Sequence, residues 1–397
     1  MVFHDALRGD RPRDVVRRST IIAIISFLTL IDLFGAQALL PQIIVAFKTN
    51  AATAGVAVNA ATLGMAVSGI TVAWFADRID RKRGIWICLA LLSIPTALLC
   101  LTENIWVFMS LRVVQGTLMA AAFTLTMTFL SEQCEVMAIG GALAAYITGN
   151  VASNLFGRLA AVTMAGATGL SGTFLFFAAL NIAGAVFAYA MIGPRDVSPP
   201  KRGGSPLAAW RNHFAVPALR ATFGIGFLIL FIFVGVFTYV NLYLVKDVGL
   251  APMSLGLVYL IFAPAIITTP LAANQVKKYG PKFALLFSLA TVLVGLALTV
   301  TGSLWVILLG LTIIGMAIFF AQAAATGYLS KSVTHDRAQA NGLYLTSYYL
   351  GGLLGAVVLG QINLVYGWKG TAAAIAFATL CAIALARAIR PVEPMKI

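Results

Sequence analysis

The sequence predicts an all-α integral membrane protein of twelve transmembrane helices, arranged as two pseudo-symmetric halves of six. Three observations carry this. Of the 397 residues, 60% are hydrophobic and 10% charged, whereas a soluble domain carries about 25% charged residues. Twelve apolar runs reach the length of about 20 residues that a spanning helix needs. Sequence features of the first half recur in the second about 200 positions later. Helices are the expected state, because an open strand leaves its backbone unsatisfied in lipid and no ten-residue alternating pattern suggests a barrel.

The tail 1–19 carries Arg8, Arg11, Arg13, Arg17 and Arg18 and precedes a first run at about 20–47. That run is too long for a signal-peptide core and lacks a cleavage-like end, so it reads as a retained helix. Runs follow at about 54–76, 84–102, 105–130, 137–165 and 171–193, the third and fourth parted only by Thr102-Glu103-Asn104. These make an N-terminal half over 20–193. The longest connection, 194–218, holds Pro194, Pro199, Pro200, Gly203, Gly204 and Pro206 and reads as a cytoplasmic linker. Within it, 205–218 reads as a short interfacial helix, because Leu207, Trp210, Phe214 and Leu219 share a face beside basic residues. The second half, 219–389, has runs at about 219–245, 254–276, 282–303, 304–329, 338–366 and 368–389. Almost no loop is left at Gly302-Ser303, and 390–397 is a tail.

Charge sets the expected orientation. The net charge is +14, from 27 Lys and Arg against 13 Asp and Glu. With an even number of spans, 22 basic residues fall on the side of the termini and three (Lys48, Lys246, Lys369) on the other. The positive-inside rule then puts both termini in the cytoplasm, as for a bacterial inner-membrane protein. This split accounts for the basic excess without nucleic acid as a partner; the lipid bilayer and a small molecule are the partners expected. Cys88, Cys100 and Cys381 lie in apolar runs and Cys134 in a short loop, with no spacing that suggests a metal site or redox pair. No phosphate loop, nucleophile elbow or zinc-helix pattern is present, so neither an enzyme nor a cofactor is expected.

The repeat is specific. Ala76-Asp77-Arg78-Ile79-Asp80-Arg81-Lys82 matches Val276-Lys277-Lys278-Tyr279-Gly280-Pro281-Lys282 at an offset of 200, and Gly140, Gly149 and Ser153 match Gly342, Gly351 and Gly355 at 202. Two parallel six-helix halves are the architecture of many secondary transporters. Ala73 to Gly84 resembles the loop 2–3 signature of the major facilitator superfamily, G-x-L-A-D-R-x-G-R-K, with Ala73 and Asp80 in place of two glycines. Leu111-Arg112-Val113-Val114-Gln115-Gly116 is similar to its span 4 motif R-x-x-Q-G, and Leu39-Leu40-Pro41 with Ile43 to its span 1 ending. Gly140, Gly149, Ser153-Asn154 and Gly157-Arg158 resemble the span 5 antiporter motif, with Ser-Asn for Gly-Pro and Gly-Arg for Gly-Gly. The resemblance covers nearly the whole chain and is nearest to the bacterial drug:proton antiporter and metabolite-efflux group. It implies the major facilitator fold, alternating access and a monomer.

Two basic residues, Arg112 and Arg158, and one acid, Asp32, fall inside predicted spans. Asp32 sits ~18 Å deep in span 1 at 1.5 Å per residue, where a charge costs about 2.5 to more than 10 kcal/mol. It must be protonated, paired or facing water, and it is the candidate proton site. Arg112 is either a regulator of its charge or a static partner pinning two helices. Tyr146, Asn150, Asn154 and Arg158, four apart in span 5, form a polar stripe read as a substrate or gate site; alternatively Arg158 snorkels from near the span's end. Gly149, Ser153 and Gly157 form a small-residue stripe that lets another helix approach. The resemblance gives Asp77, Arg78, Arg81 and Lys82 the role of a latch between the cytoplasmic ends of the halves; the plainer reading is a topogenic loop. Phe34, Tyr239, Tyr344, Tyr348 and Gln322 are candidate cavity-lining residues, with Tyr243 and Tyr349 beside them, packing being the alternative.

The expected function is secondary active transport of a small organic compound by alternating access, proton-coupled and outward, with the proton as the coupling ion and no cofactor. Two alternatives stay open: an organic-anion carrier that uses Arg158, and a membrane receptor or assembly partner that transports nothing.

Overall fold

The computed structural model describes residues 12–75, 80–133, 139–192, 206–251, 254–333 and 337–389. Every regular element among them is helical. In chain order these are α1 (Pro12–Ala38), α2 (Leu40–Ala46), α3 (Ala51–Asn59), α4 (Ala61–Phe75), α5 (Arg81–Leu98), α6 (Ile105–Gln133), α7 (Ile139–Met191), α8 (Pro206–Ala215), α9 (Pro217–Lys246), α10 (Leu255–Val258), α11 (Ala263–Tyr279), α12 (Pro281–Thr299), α13 (Leu304–Ser332) and α14 (Arg337–Arg387).

Nine helices among the described residues are long and apolar enough to cross a membrane. Two of these stretches, Tyr146–Met191 and Gln339–Arg387, are 46 and 49 residues long, roughly twice what one crossing uses. Each is broken at a glycine, Gly169 (φ 72°) and Gly367 (φ 61°). An L-residue with a Cβ adopts such a backbone only under strain, so glycine supplies the turn. We read each broken helix as two spans. With the shorter apolar helix Leu255–Thr269, the elements then match the twelve apolar runs in order.

Local chemistry sets several boundaries. The first crossing breaks at Leu39, and Pro41 opens α2, where a missing N–H costs nothing. Asn50 caps α3 by accepting from the Thr53 N–H at 2.8 Å. Asp80, one of the two departures from the loop 2–3 signature, caps α5 by accepting from the Arg83 N–H at 2.7 Å. At the corresponding place in the second half, Gly280 turns the chain between α11 and α12 at φ 83°. One position thus breaks the helix by capping in one half and by glycine geometry in the other. The stretch 205–218 holds the helix α8, and the near-absent loop at Gly302-Ser303 is a break at Gly302, φ 82°.

The halves pack by the same rule. A Cβ on Gly149 of α7 would lie 2.2 Å from the Ala23 carbonyl oxygen of α1, and one on Gly351 of α14 would lie 1.9 Å from the Phe227 carbonyl oxygen of α9. Span 5 therefore lies backbone-to-backbone on span 1, and span 11 on span 7, through the small residues of the repeat. Across the two halves, α4 meets α14, where the Thr346 hydroxyl donates to the Ala66 carbonyl at 3.2 Å.

Candidate functional site

Two clusters of buried polar side chains stand out. The first lies wholly in the N-terminal half. Asp32 of α1, Thr96 of α5, Arg112 and Gln115 of α6 and Asn181 of α7 are all buried, Asp32 at 2% exposure. The Oδ2 of Asp32 accepts from the Gln115 amide at 3.2 Å and the Asn181 amide at 3.3 Å, and the Thr96 hydroxyl, 3.2 Å away, shares its one proton between this oxygen and the Leu92 carbonyl at 2.7 Å. The Gln115 and Asn181 amides also donate to the Thr96 oxygen, at 2.6 and 3.1 Å.

Arg112 reaches this cluster only through an intermediary. Its Nη1 donates to Gln115 Oε1 at 2.8 Å, and its Nη2 donates to the Val58 and Leu33 carbonyls at 3.0 and 3.5 Å. Of the two readings of Arg112, regulator of the Asp32 charge or static partner, neither has a direct hydrogen bond to the carboxylate behind it. The charges are joined through the Gln115 amide, which accepts from one and donates to the other. Three polar atoms of the cluster have no partner: Asp32 Oδ1, Asn181 Oδ1 and Arg112 Nε. Two are acceptors and one is a donor, a set that a bound proton or a water can use.

The second cluster crosses between the halves at the end of the bundle where α1 finishes. Arg158 is fully buried. Its Nε donates to Asn154 Oδ1 at 2.8 Å, its Nη2 to Gln37 Oε1, and its Nη1 to the Phe237 carbonyl of the other half at 3.0 Å. The Gln37 amide donates to Asn59 Oδ1 at 2.7 Å, and the Asn59 amide crosses to the Thr238 hydroxyl at 3.2 Å. The guanidinium is surrounded by the rings of Phe34, Phe233, Phe237, Tyr259 and Phe262, nearest to Tyr259 at 4.9 Å. The snorkelling alternative is overturned: the side chain points into the interface, because amide and carbonyl acceptors and ring faces are there to receive it.

The other predicted residues are dispersed. Tyr146 donates to the Phe123 carbonyl at 3.0 Å and lies 4.4 Å from the Phe123 ring, so it joins α7 to α6. Asn150 has a buried Oδ1 without a partner. The stripe in span 5 thus does not gather at one point: Asn154 and Arg158 belong to the cross-half cluster, and Tyr146 to packing within its half. Phe34 joins Arg158. Tyr239 donates to the Ala356 carbonyl between α9 and α14. Tyr344 stacks with Tyr348 at 6.1 Å, and its buried hydroxyl has no partner, as is true of Gln322 Oε1. Tyr243 stacks on Trp368 at 5.9 Å, and Tyr349 lies edge-on to Tyr348 at 5.4 Å. Of the loop 2–3 set, Asp77 and Arg78 lie outside the described residues; Arg81 is buried, and the Lys82 ammonium sits 5.3 Å from the centre of the Tyr189 ring.

Sequence reasoning missed Thr96, Asn181, Gln37, Asn59 and the aromatic ring set, and gave Gln115 no role of its own. The amides carried a signal: Gln37, Asn59 and Asn181 are polar residues within apolar runs, and such groups need a partner in the interior. Which partner is decided by the fold.

A bundle of apolar helices in repeated halves, with charge buried inside and in the interface between them, defines a polytopic membrane protein of the carrier class. The chain belongs to the Major Facilitator Superfamily, whose family model matches residues 22–263 and 244–397. It is 23% identical over 371 residues to the MFS-type transporter YybF of Bacillus subtilis (strain 168), covering 90% of this chain and 89% of that one. It is 26% identical over 364 residues to the inner membrane transport protein YnfM of Escherichia coli (strain K12), covering 88% and 85%. In fold it resembles a bacterial homologue of the human lysosomal transporter Spinster, crystallised inward-facing and unoccupied. The TM-score is 0.71 at 17% identity, covering 96% of this chain and 95% of that one.

Proposed function

We propose that this chain is a proton-coupled exporter of a small organic compound, acting as a monomer in a bacterial inner membrane by alternating access, with both termini in the cytoplasm. The observation that carries the reading is Asp32. It is the one acid within the predicted spans. It is buried, two amides donate to its Oδ2 with the Thr96 hydroxyl beside them, and its Oδ1 is unpartnered. A proton added at Oδ1 neutralises a charge that is costly in an apolar interior. Thr96, Gln115 and Asn181 hold the carboxylate in place in either protonation state. The family supplies alternating access, the basic split supplies the orientation, and the resemblance to the drug:proton antiporter group supplies the direction.

A thermal-stability screen of drugs, sugars and organic acids at two pH values identifies a substrate by its class. Vesicles reconstituted with the chain and an imposed pH gradient then test the proton site. Asp32→Asn fixes the neutral form, so gradient-driven accumulation is expected to fall to the background of empty vesicles while substrate binding persists and loses its pH dependence. An Asp32→Asn protein that still concentrates substrate would remove Asp32 from the coupling step.

A further inference from the structure

Arg158 is a cation lodged in a box that the opposite half builds. Four of the rings around it, Phe233, Phe237, Tyr259 and Phe262, come from α9 and the 259–262 turn, at 6.0, 5.8, 4.9 and 5.7 Å from the guanidinium carbon. Three of these rings also pack on one another. Phe233 and Phe237 lie 4.9 Å apart, Phe237 and Phe262 4.6 Å, and Phe319 of α13 backs Phe233 at 5.7 Å and Phe262 at 6.2 Å. The Phe237 carbonyl sits at its rim as an acceptor, and Tyr259 is fixed by donating to Asn241 Oδ1 at 2.8 Å. The repeat places Gly360 of the other half at the position of Arg158, 202 residues on, so the arrangement is one-sided.

When two rigid halves part at this end, Arg158 leaves with Asn154 and Gln37, which belong to its own half, and the four rings stay together in theirs. What remains is a buried-walled aromatic box with a carbonyl at its edge. Ring faces carry the negative end of the aromatic quadrupole, so such a box attracts cations and repels carboxylates. We propose that the box of Phe233, Phe237, Tyr259 and Phe262 binds a hydrophobic organic cation when this end of the bundle opens, and that Arg158 is the internal cation that displaces it when the end closes.

The proposal rests on the alternating-access reading and sharpens it. It names the substrate class and gives export a release step: the halves cannot close here until the transported cation has left, because two cations cannot share the box. Asp32 plays no part in it.

The test uses the full chain, purified in detergent without any pH gradient, with tetraphenylphosphonium as the probe and tetraphenylborate as an anion of the same shape. Saturable phosphonium binding is expected. Tyr259→Leu removes a ring face and should weaken it about tenfold or more, whereas Tyr259→Phe keeps the face and should stay within about threefold. Arg158→Ala vacates the box and should tighten phosphonium binding about fivefold or more, an outcome that a misfolded protein does not give. The borate should bind more weakly than the phosphonium throughout. Absence of phosphonium binding, indifference to Tyr259→Leu, weaker binding in Arg158→Ala, or preference for the borate would each overturn the proposal, the last in favour of an anion site at Arg158. Binding is read without a gradient, so its failure leaves the Asp32 experiment standing, and failure there leaves this one standing.

Discussion

Arg112 and Arg158 are both buried in spanning helices, but their surroundings differ in kind. The hydrogen-bond partners of Arg112 belong to its own half: Gln115, the Leu33 carbonyl and the Val58 carbonyl. Arg158 divides its contacts, with Asn154 and Gln37 on its own side and the Phe237 carbonyl and four rings on the other. Contacts inside a rigid half survive a rocking motion, and contacts between halves do not. On the alternating-access reading, the contacts of Arg112 are expected to persist through the cycle and those of Arg158 with the other half to break. Gln115 lies in the same half as Arg112 and Asp32 and bonds both, so on the proton-site reading a change at Asp32 is expected to come from access of water. Only interactions that differ between two states shift their balance, so the two arginines should answer to different experiments.

The largest expected effect is on Arg112. Arg112→Ala strips donors from two backbone carbonyls and from Gln115, and removes the cation nearest the Asp32 network. Leaving a buried charge uncompensated costs about 3–5 kcal/mol, which thermal denaturation in detergent measures. Adding Asp32→Asn should recover part of the loss, because two groups in one network are not additive. Full additivity would break the link that Gln115 is assigned between them. Distances between the halves should not change, which separates this residue from Arg158.

Gln115→Leu comes next. It removes the amide that donates to Asp32 and Thr96 and accepts from Arg112, at a cost of about 1–3 kcal/mol for the buried groups left unpaired. Proton-driven transport should fall while phosphonium binding at the Tyr259 box holds. Loss of both together would mean that the two clusters are not independent.

The smallest effect is expected at Thr238, which accepts the Asn59 amide across the halves. Thr238→Val removes one hydrogen bond of about 0.5–1.5 kcal/mol and should favour opening at this end by about two- to tenfold. Spin labels at Thr49 and Val248, in a protein with its native cysteines replaced, report the distance across that opening. A shift in their distance distribution with little change in thermal stability is the pattern expected of a cross-half contact. A loss of stability with no shift would make Thr238 a packing residue.

Much of the fold was legible because its signals are local. The apolar runs match the observed helices to within a few residues at most boundaries, and the small residues at 149 and 351 forecast close helix approach, which the Ala23 and Phe227 backbones supply. The two long helices broken at Gly169 and Gly367 each appear in sequence as two separate apolar runs. The site was less legible. Asp32, Arg112 and Arg158 announced themselves, since a charge in an apolar run needs an explanation. Their partners did not. Thr96 and Asn181 are common residue types, and nothing near them in sequence says that they converge on one carboxylate oxygen. The choice between snorkelling and an interior site for Arg158 depended on acceptors elsewhere in the chain.

The sequence by itself determined that the chain is a repeated bundle of membrane-spanning helices with one intramembrane acid and two intramembrane arginines. Hydropathy, charge bias and glycine placement act over one helix or one turn, and a string of residues records them in full. Only the tertiary structure decided that Gln115 stands between Asp32 and Arg112, and that Arg158 enters an aromatic box. Those meetings join residues such as Asn181 with Asp32, 149 positions apart, and Arg158 with Phe237, 79 apart. They follow from how the helices pack, because hydrogen bonds and ring contacts act over a few ångströms in space whatever their separation along the chain.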